Sequence, residues 1–229
     1  MKDFTALEQN IEIIFKDKSI LDHAFVHRSY LNENDDKKSN ERLEFLGDAV
    51  LELVVTDYLF STFPTLDEGV LTSYRSAVVR GSNLALIAQN LELGQYLYLS
   101  RGEEGSGGRE KHYILANTVE ALVGAIYLDQ GWDVSTKFIH KWIITTLDNI
   151  ISEGLYLDAK TYFQEKAQEI LSITPHYKVL KEEGPDHDKS FTVGAYLGDR
   201  KSGEGEGTNK QEAEQSAAMA AIKARGWIG

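Results

Sequence analysis

The 229-residue sequence contains no cysteine, which excludes disulfide staples, thiolate nucleophiles and cysteine-ligated zinc while leaving the redox compartment open. Any metal must be held by oxygen or histidine. No uninterrupted apolar run approaches the roughly 20 residues of a membrane span, so no membrane partner is expected. The opening stretch MKDFTALEQNIEIIFKDK mixes acids among its apolar positions and lacks a signal-peptide core, and a cytoplasmic location is the expectation. Positive charge is scarce, with 24 Lys and Arg against 36 Asp and Glu for a net charge of −12. That balance argues against nonspecific affinity for phosphate backbones, which comes from neutralising phosphates with Lys and Arg. The shortage is uneven: residues 1–157 carry 14 cations against 24 acids, and residues 158–229 carry 10 against 12. A polyanionic partner would need local basic patches or bridging metal ions.

What is present is a soluble, globular composition, 42% hydrophobic and 26% charged, long enough for one or two cores. From Phe4 to about Ile151 apolar residues recur at helical spacing, for example Val134, Phe138, Trp142, Thr146 and Ile150 with Leu147 beside them. This region is expected to be all-helical. After residues 152–157 the pattern changes to a helix near Ala159–Leu171, alternating segments HYKVLKEE and SFTVGAYLG, glycines at 203, 205 and 207, and an alanine-rich helix. Ala213, Ala217, Ala220, Ala221 and Ala224 are expected to form its inner face. The expected fold is therefore α+β, an all-α domain over residues 1–152 followed by a small α-β-β-β-α domain over residues 158–227. The glycine-rich stretch RGEEGSGGREKHY (Arg101–Tyr113) lacks the GK[ST] of a phosphate-binding P-loop and reads as a mobile connection.

Within NERLEFLGDAVLELVVTDYLF (Asn40–Phe60), Glu41, Glu44 and Asp48 fall at i, i+3 and i+7, so three carboxylates share one helix face. Leu43, Leu46, Val50 and Val54 occupy the opposite side. A solvated acidic face is the common reason for such a pattern. Here, though, no Lys or Arg falls at the interleaving positions to offset repulsion of a few tenths of a kcal/mol per pair, and a bound cation would relieve it. A second apolar helix, ILANTVEALVGAIYLDQG (Ile114–Gly131), carries Asn117 and Glu120 at i and i+3, and a carboxylate among Leu122, Val123, Ile126 and Tyr127 is expensive to bury unless paired or metal-bound. Oxygen-only donors suit Mg²⁺ or Mn²⁺ rather than zinc. Spacing alone leaves both the solvated and the metal-binding reading open.

ERLEFLGDAVL (Glu41–Leu51) resembles the signature of the bacterial ribonuclease III family, supported by FVHRSY, FPTLDEGVLT and ILANTVEALVGAIYLDQG in the same order. TYFQEKAQ, GPDHDKSF and NKQEAEQSAA resemble the double-stranded RNA-binding domain that follows the nuclease in that family, so the likeness covers nearly the whole chain. The resemblance implies a homodimeric endonuclease of double-stranded RNA that acts in rRNA and mRNA processing. It further implies that divalent ions would activate water and stabilise the leaving 3′ oxygen, giving 5′-phosphate and 3′-hydroxyl ends with short 3′ overhangs. Matching the motifs residue by residue implies Glu44, Asp48, Asn117 and Glu120 as metal ligands, with Asp48 and Glu120 catalytic and Glu41 and Glu68 as supporting acids. Phe45, on the same helix side as Glu41 and Glu44, matches a ring that packs into the partner subunit. His27 and Arg28 are expected as a buried, hydrogen-bonded pair supporting the fold.

For RNA binding the resemblance implies Thr161, Gln164 and Glu165 against one minor groove and His187 against the next, over roughly 16 base pairs. Asn209 with Glu212 has the form of a capping box, and a helix start with Lys210 beside it suits a phosphate. Two positions depart from the family. Asn117 stands where aspartate is usual, keeping an oxygen ligand but losing a charge, and Gln211 stands where a second basic residue is usual. These departures keep a second reading open, a double-stranded RNA-binding regulator with an attenuated nuclease centre. A third is a helical scaffold without a nucleic-acid role.

Overall fold

A computed structural model describes residues 2–34, 36–185 and 189–227. The chain divides into two compact units, Met1–Glu153 and Gly154–Gly229. The first is helical, with α1 (Thr5–Ile11), α2 (Lys18–Ala24), α3 (Glu41–Thr62), α4 (Glu68–Val78), α5 (Gly81–Asn90), α6 (Arg101–Gly105), α7 (His112–Gln130), α8 (Trp132–Trp142) and α9 (Leu147–Glu153). The second runs α10 (Ala159–Leu171), β1 (His176–Glu183), β2 (Ser190–Leu197), β3 (Arg200–Gly207) and α11 (Lys210–Arg225). The class is α+β, as the patterning predicts.

The first unit is organised around α7. Nearly every residue of α7 from Ile114 to Ile126 is buried, the pattern of a helix surrounded by protein rather than one lying on a surface. It stops at Gly131, whose φ of 82° a side-chain-bearing residue rarely adopts. Helix α3 lies directly against it, and two glycines set the distance of approach. A Cβ on Gly47 would sit 1.7 Å from the Glu120 carbonyl oxygen, and one on Gly124 would sit 2.2 Å from that of Leu43. The two backbones therefore touch, and the side chains flanking the glycines are brought together.

Three details differ from the sequence expectation. The periodic run from Val134 to Ile150 is not one helix: α8 ends at Trp142, a 3-10 turn covers Ile144–Thr146, and α9 follows. The Thr146 hydroxyl donates to the Ile143 carbonyl (2.7 Å) and accepts from the Asn83 amide (3.0 Å), a side-chain competition with helical bonding that tightens the turn. Ile143, Ile144, Leu147 and Ile150 all remain buried across it. The glycine-rich stretch is tied down rather than loose: Ser100 caps α6 by accepting from the Glu103 N–H, and Lys111 pairs with Glu103 at 2.6 Å. Arg109 donates to the carbonyls of Gly94 and Leu97 at 2.8 and 3.0 Å. Leu46 is only half-buried, because α3 turns that position toward the edge of the α7 contact.

In the second unit the sheet is antiparallel in the order β1-β2-β3, with Val179 opposite Val193 and Val193 opposite Gly205. Gly203, Gly205 and Gly207 take alternate positions on β3 and all face α11; a Cβ on Gly205 would lie 2.2 Å from the Ala217 nitrogen. Alanines on the helix and glycines on the strand let the two backbones meet. The buried face of α11 is Ala213, Ala217, Ala218, Ala221 and Ile222, whereas Ala220 is half-buried and Ala224 exposed. The stripe shifts because α11 packs on α10 as well as on the sheet.

Candidate active site

The start of α3 is fixed before its acids emerge. Asn40 is buried and clamps two elements, its side-chain amide donating to the Ala24 carbonyl (2.9 Å) and its N–H to that of Val26 (2.8 Å). His23 Nε2 meets the Ser39 carbonyl at 2.8 Å, and the Ser39 hydroxyl donates to Glu41 at 2.8 Å. One turn on, Glu44 and Asp48 flank Gly47, and across the glycine contact α7 presents Asn117 and Glu120. Contact at Gly47 and Gly124 thus brings together the four residues that spacing and resemblance singled out.

Their electrostatics reflect the crowding. Burial pushes the Glu120 carboxyl up to about 7, and Asp48 and Glu44 push in the same direction. The Glu44 carboxyl is also raised, first by burial and then by Glu41 and Asp48, against a hydrogen bond donated by Asn117 and the nearby charge of Arg28. Among the described residues none of Glu44, Asp48 or Glu120 forms an ion pair with Lys, Arg or His. A pocket of about 270 Å³ opens beside them, bordered by Glu41, Glu44 and Asn117 together with His27, Arg28 and Tyr113. Asp48 and Glu120 do not border it. Among the described residues no three His, Asp or Glu side chains already converge as a metal cage. The donor set nevertheless fits a hard divalent cation: all four groups offer oxygen, the carboxylates repel one another, and among the described residues no ion pair offsets them.

Other expectations fare differently. Glu68 is not with these acids within the chain; it heads α4, accepts from the Thr72 hydroxyl at 3.1 Å and borders a separate pocket with Phe60 and Arg75. His27 and Arg28 are not a buried pair, because a 3-10 turn begins at Arg28 and carries its side chain outward. His27 Nδ1 instead accepts from Ser29, while Arg28 is exposed at the rim of the carboxylate pocket. Phe45 is 81% exposed, and Leu53 and Phe60 extend the same apolar stripe along α3. Sequence reasoning does not single out Gly47, Gly124 or Asn40; glycines set inside helices are the available signal for the first two, and the helix-start position of Asn40 is the signal for the third.

In the second unit Thr161, Gln164 and Glu165 are exposed on one face of α10, which Asp158 caps by accepting from the Thr161 N–H. Asn209 caps α11 by accepting from the Glu212 N–H, and Glu212 reaches back to the Thr208 N–H and hydroxyl. Lys210 is exposed at that start, 5.8 Å from the Phe191 ring centre, with Gln211 beside it. His187 lies outside the described residues.

Residues 17–147 match the family model described as Ribonuclease-III-like, and residues 159–224 match the double-stranded RNA binding motif. Ribonuclease 3 of Borreliella afzelii is 45% identical over 217 residues, covering 94% of this chain and 89% of that one. Ribonuclease 3 of Streptomyces coelicolor is 48% identical over 206 residues, covering 90% and 74%. The nuclease domain of ribonuclease III from Campylobacter jejuni, described as structurally flexible in the region involved in dimer formation, superposes with a TM-score of 0.59 at 42% identity, over 62% of this chain and 97% of that one. A helical nuclease domain joined to a double-stranded RNA-binding domain defines the class, an endonuclease directed at duplex RNA. Within that class, the chain belongs to the ribonuclease III family.

Proposed function

We propose that the chain hydrolyses phosphodiester bonds of double-stranded RNA with a divalent cation held by Glu44, Asp48, Asn117 and Glu120, leaving 5′-phosphate and 3′-hydroxyl ends. The observation that carries this reading is the glycine contact between α3 and α7, which gathers four oxygen donors without a compensating ion pair. Mg²⁺ is the proposed ion, with Mn²⁺ able to replace it. When bound, such an ion supplies Lewis-acid stabilisation of the phosphate and lowers the pKa of an attacking water. The chain's own residues prepare for it. Asn117 favours the charged form of Glu44 and adds a neutral oxygen, while Asp48 and Glu120 add further negative charge beside it. Glu41, tethered by Ser39, adds a further negative charge at the pocket edge, and Glu68 is retained as a supporting acid acting from its separate position.

Residues 1–152 serve as the nuclease domain and residues 158–227 as the RNA-binding domain in this reading. Thr161, Gln164 and Glu165 take one minor groove, His187 the next, and Asn209 with Lys210 the phosphates between. The enzyme acts as a homodimer through Phe45 and the apolar stripe of α3, since a ring so exposed beside Leu53 and Phe60 is a surface that association would bury. No described helix is long and apolar enough to cross a membrane, and the proposed setting is cytoplasmic rRNA and mRNA processing. Incubation of a long RNA duplex with the purified protein in Mg²⁺, Mn²⁺ and Ca²⁺ tests the reading. Cleavage with the first two is expected; binding without cleavage under every ion would instead establish a regulator with an attenuated centre.

A further inference from the structure

The carboxylate pocket does not end at its acids. His27, Arg28 and Tyr113, which form one side of it, also border a second pocket of about 510 Å³ that extends toward Asn32 and Glu103. The two pockets therefore share a wall, so a strand running from the carboxylates toward Asn32 and Glu103 passes over these three side chains. We propose that His27, Arg28 and Tyr113 form a subsite for the nucleotide next to the scissile phosphate, with Arg28 gripping its phosphate; this rests on the nuclease reading above.

The chemistry of the wall suits a phosphodiester. Among the described residues Arg28 is the one formally cationic side chain bordering the carboxylate pocket, and its side chain makes no hydrogen bond or ion pair there. A guanidinium presents donors in a fork that matches phosphate oxygens. His27 Nδ1 accepts from the Ser29 hydroxyl at 2.9 Å and from its N–H at 3.3 Å, which assigns the neutral ring's proton to Nε2 and leaves that donor without a partner among the described residues. The Ser29 hydroxyl is itself held by the Ser100 N–H at 3.1 Å, so the imidazole is braced from behind. Tyr113 is 57% exposed, an aromatic surface against which a ribose can pack. Glu103 is the second pocket's single carboxylate and is already neutralised by Lys111 at 2.6 Å. A polyanion approaching the acids thus meets its local counter-charge here, on a chain whose net charge of −12 offers little elsewhere.

The competing account is that Arg28 serves only as a counter-ion to Glu44. The two separate in single-turnover cleavage at saturating Mg²⁺ by the full-length protein, using RNA duplexes that each carry one neutral methylphosphonate at successive positions flanking the cut. Wild type is expected to lose about tenfold in rate at one flanking position, the scale of a charge-assisted hydrogen bond. Arg28→Ala, which removes an exposed side chain and leaves the core untouched, should be slower by a similar factor on unmodified RNA and indifferent to the phosphonate at that position. Wild type indifferent to every phosphonate, or Arg28→Ala penalised at each position as wild type is, overturns the subsite while leaving the nuclease reading intact. Absence of cleavage by wild type on unmodified duplex overturns the nuclease reading and the subsite with it.

Discussion

Glu120→Gln should stabilise the metal-free protein at alkaline pH, although it removes a residue from the proposed centre. A carboxyl moved from an ordinary 4.5 to about 7 represents, at about 1.36 kcal/mol per pKa unit, roughly 3 kcal/mol of disfavour for the charged form. Partial access to solvent reduces this to ~1–2 kcal/mol. The folded-state pKa lies above the unfolded one, so the fold holds this proton more tightly than the unfolded chain does. Below about pH 4.5 the group is protonated in both states and adds no penalty. Stability is lost as pH rises from 4.5 to 7, and above that the full penalty persists. Glutamine has the same shape and no charge, so in EDTA the variant should melt about 2–8 °C above wild type at pH 8 and level with it at pH 4.5. Mg²⁺ should raise the melting temperature of wild type far more than that of the variant, because a ligand that binds only the folded state stabilises it by mass action. Thermal denaturation at the two pH values, with and without Mg²⁺, measures all of this. A variant equally destabilised at both pH values would refute the reasoning, because it would show that Glu120 is held by native contacts rather than strained by its charge.

Asn117→Asp places one more charge beside Glu44, Asp48 and Glu120, and a Mg²⁺ titration of single-turnover cleavage should show half-maximal activity at lower Mg²⁺; superimposed curves would remove Asn117 from the ligand set. Gly124→Ala forces a Cβ to within 2.2 Å of the Leu43 carbonyl oxygen, a backbone clash that no rotamer relieves, and chemical denaturation should register a loss of at least about 3 kcal/mol. Gly69→Ala is its control: nothing lies within 4 Å of the added methyl group, and an exposed helical site should gain up to about 1 kcal/mol. A chain ending at Gly154 keeps the carboxylates and Phe45, so gel filtration should show a dimer, and its cleavage of duplex RNA should fall more steeply with salt than that of the full chain.

The acids of α3 were legible because helical periodicity puts Glu41, Glu44 and Asp48 on one face whatever surrounds them. Asn117 and Glu120 were legible because polar groups are conspicuous in an apolar helix. What periodicity does not carry is the partner of a face. Nothing local to Gly47 indicates that it meets the backbone of Glu120, and nothing local to Gly205 indicates Ala217, since both are contacts between segments far apart in the chain. The same limit explains Arg28, whose outward direction comes from a 3-10 turn, and Glu68, whose motif adjoins the others in sequence order but heads a helix elsewhere. Arg109 turns a glycine-rich stretch into a fixed one by bonding carbonyls some 12 to 15 residues away, a long-range tether that composition cannot announce.

The most direct test of a metal-dependent nuclease centre at the contact of α3 and α7 is single-turnover cleavage of one RNA duplex in Mg²⁺ by wild type and Glu120→Gln in parallel, with binding to the same duplex measured in Ca²⁺. Loss of an anionic ligand should lower the rate by more than about a hundredfold, while the separate RNA-binding unit keeps affinity unchanged. Cleavage by Glu120→Gln within a few-fold of wild type would contradict the assignment.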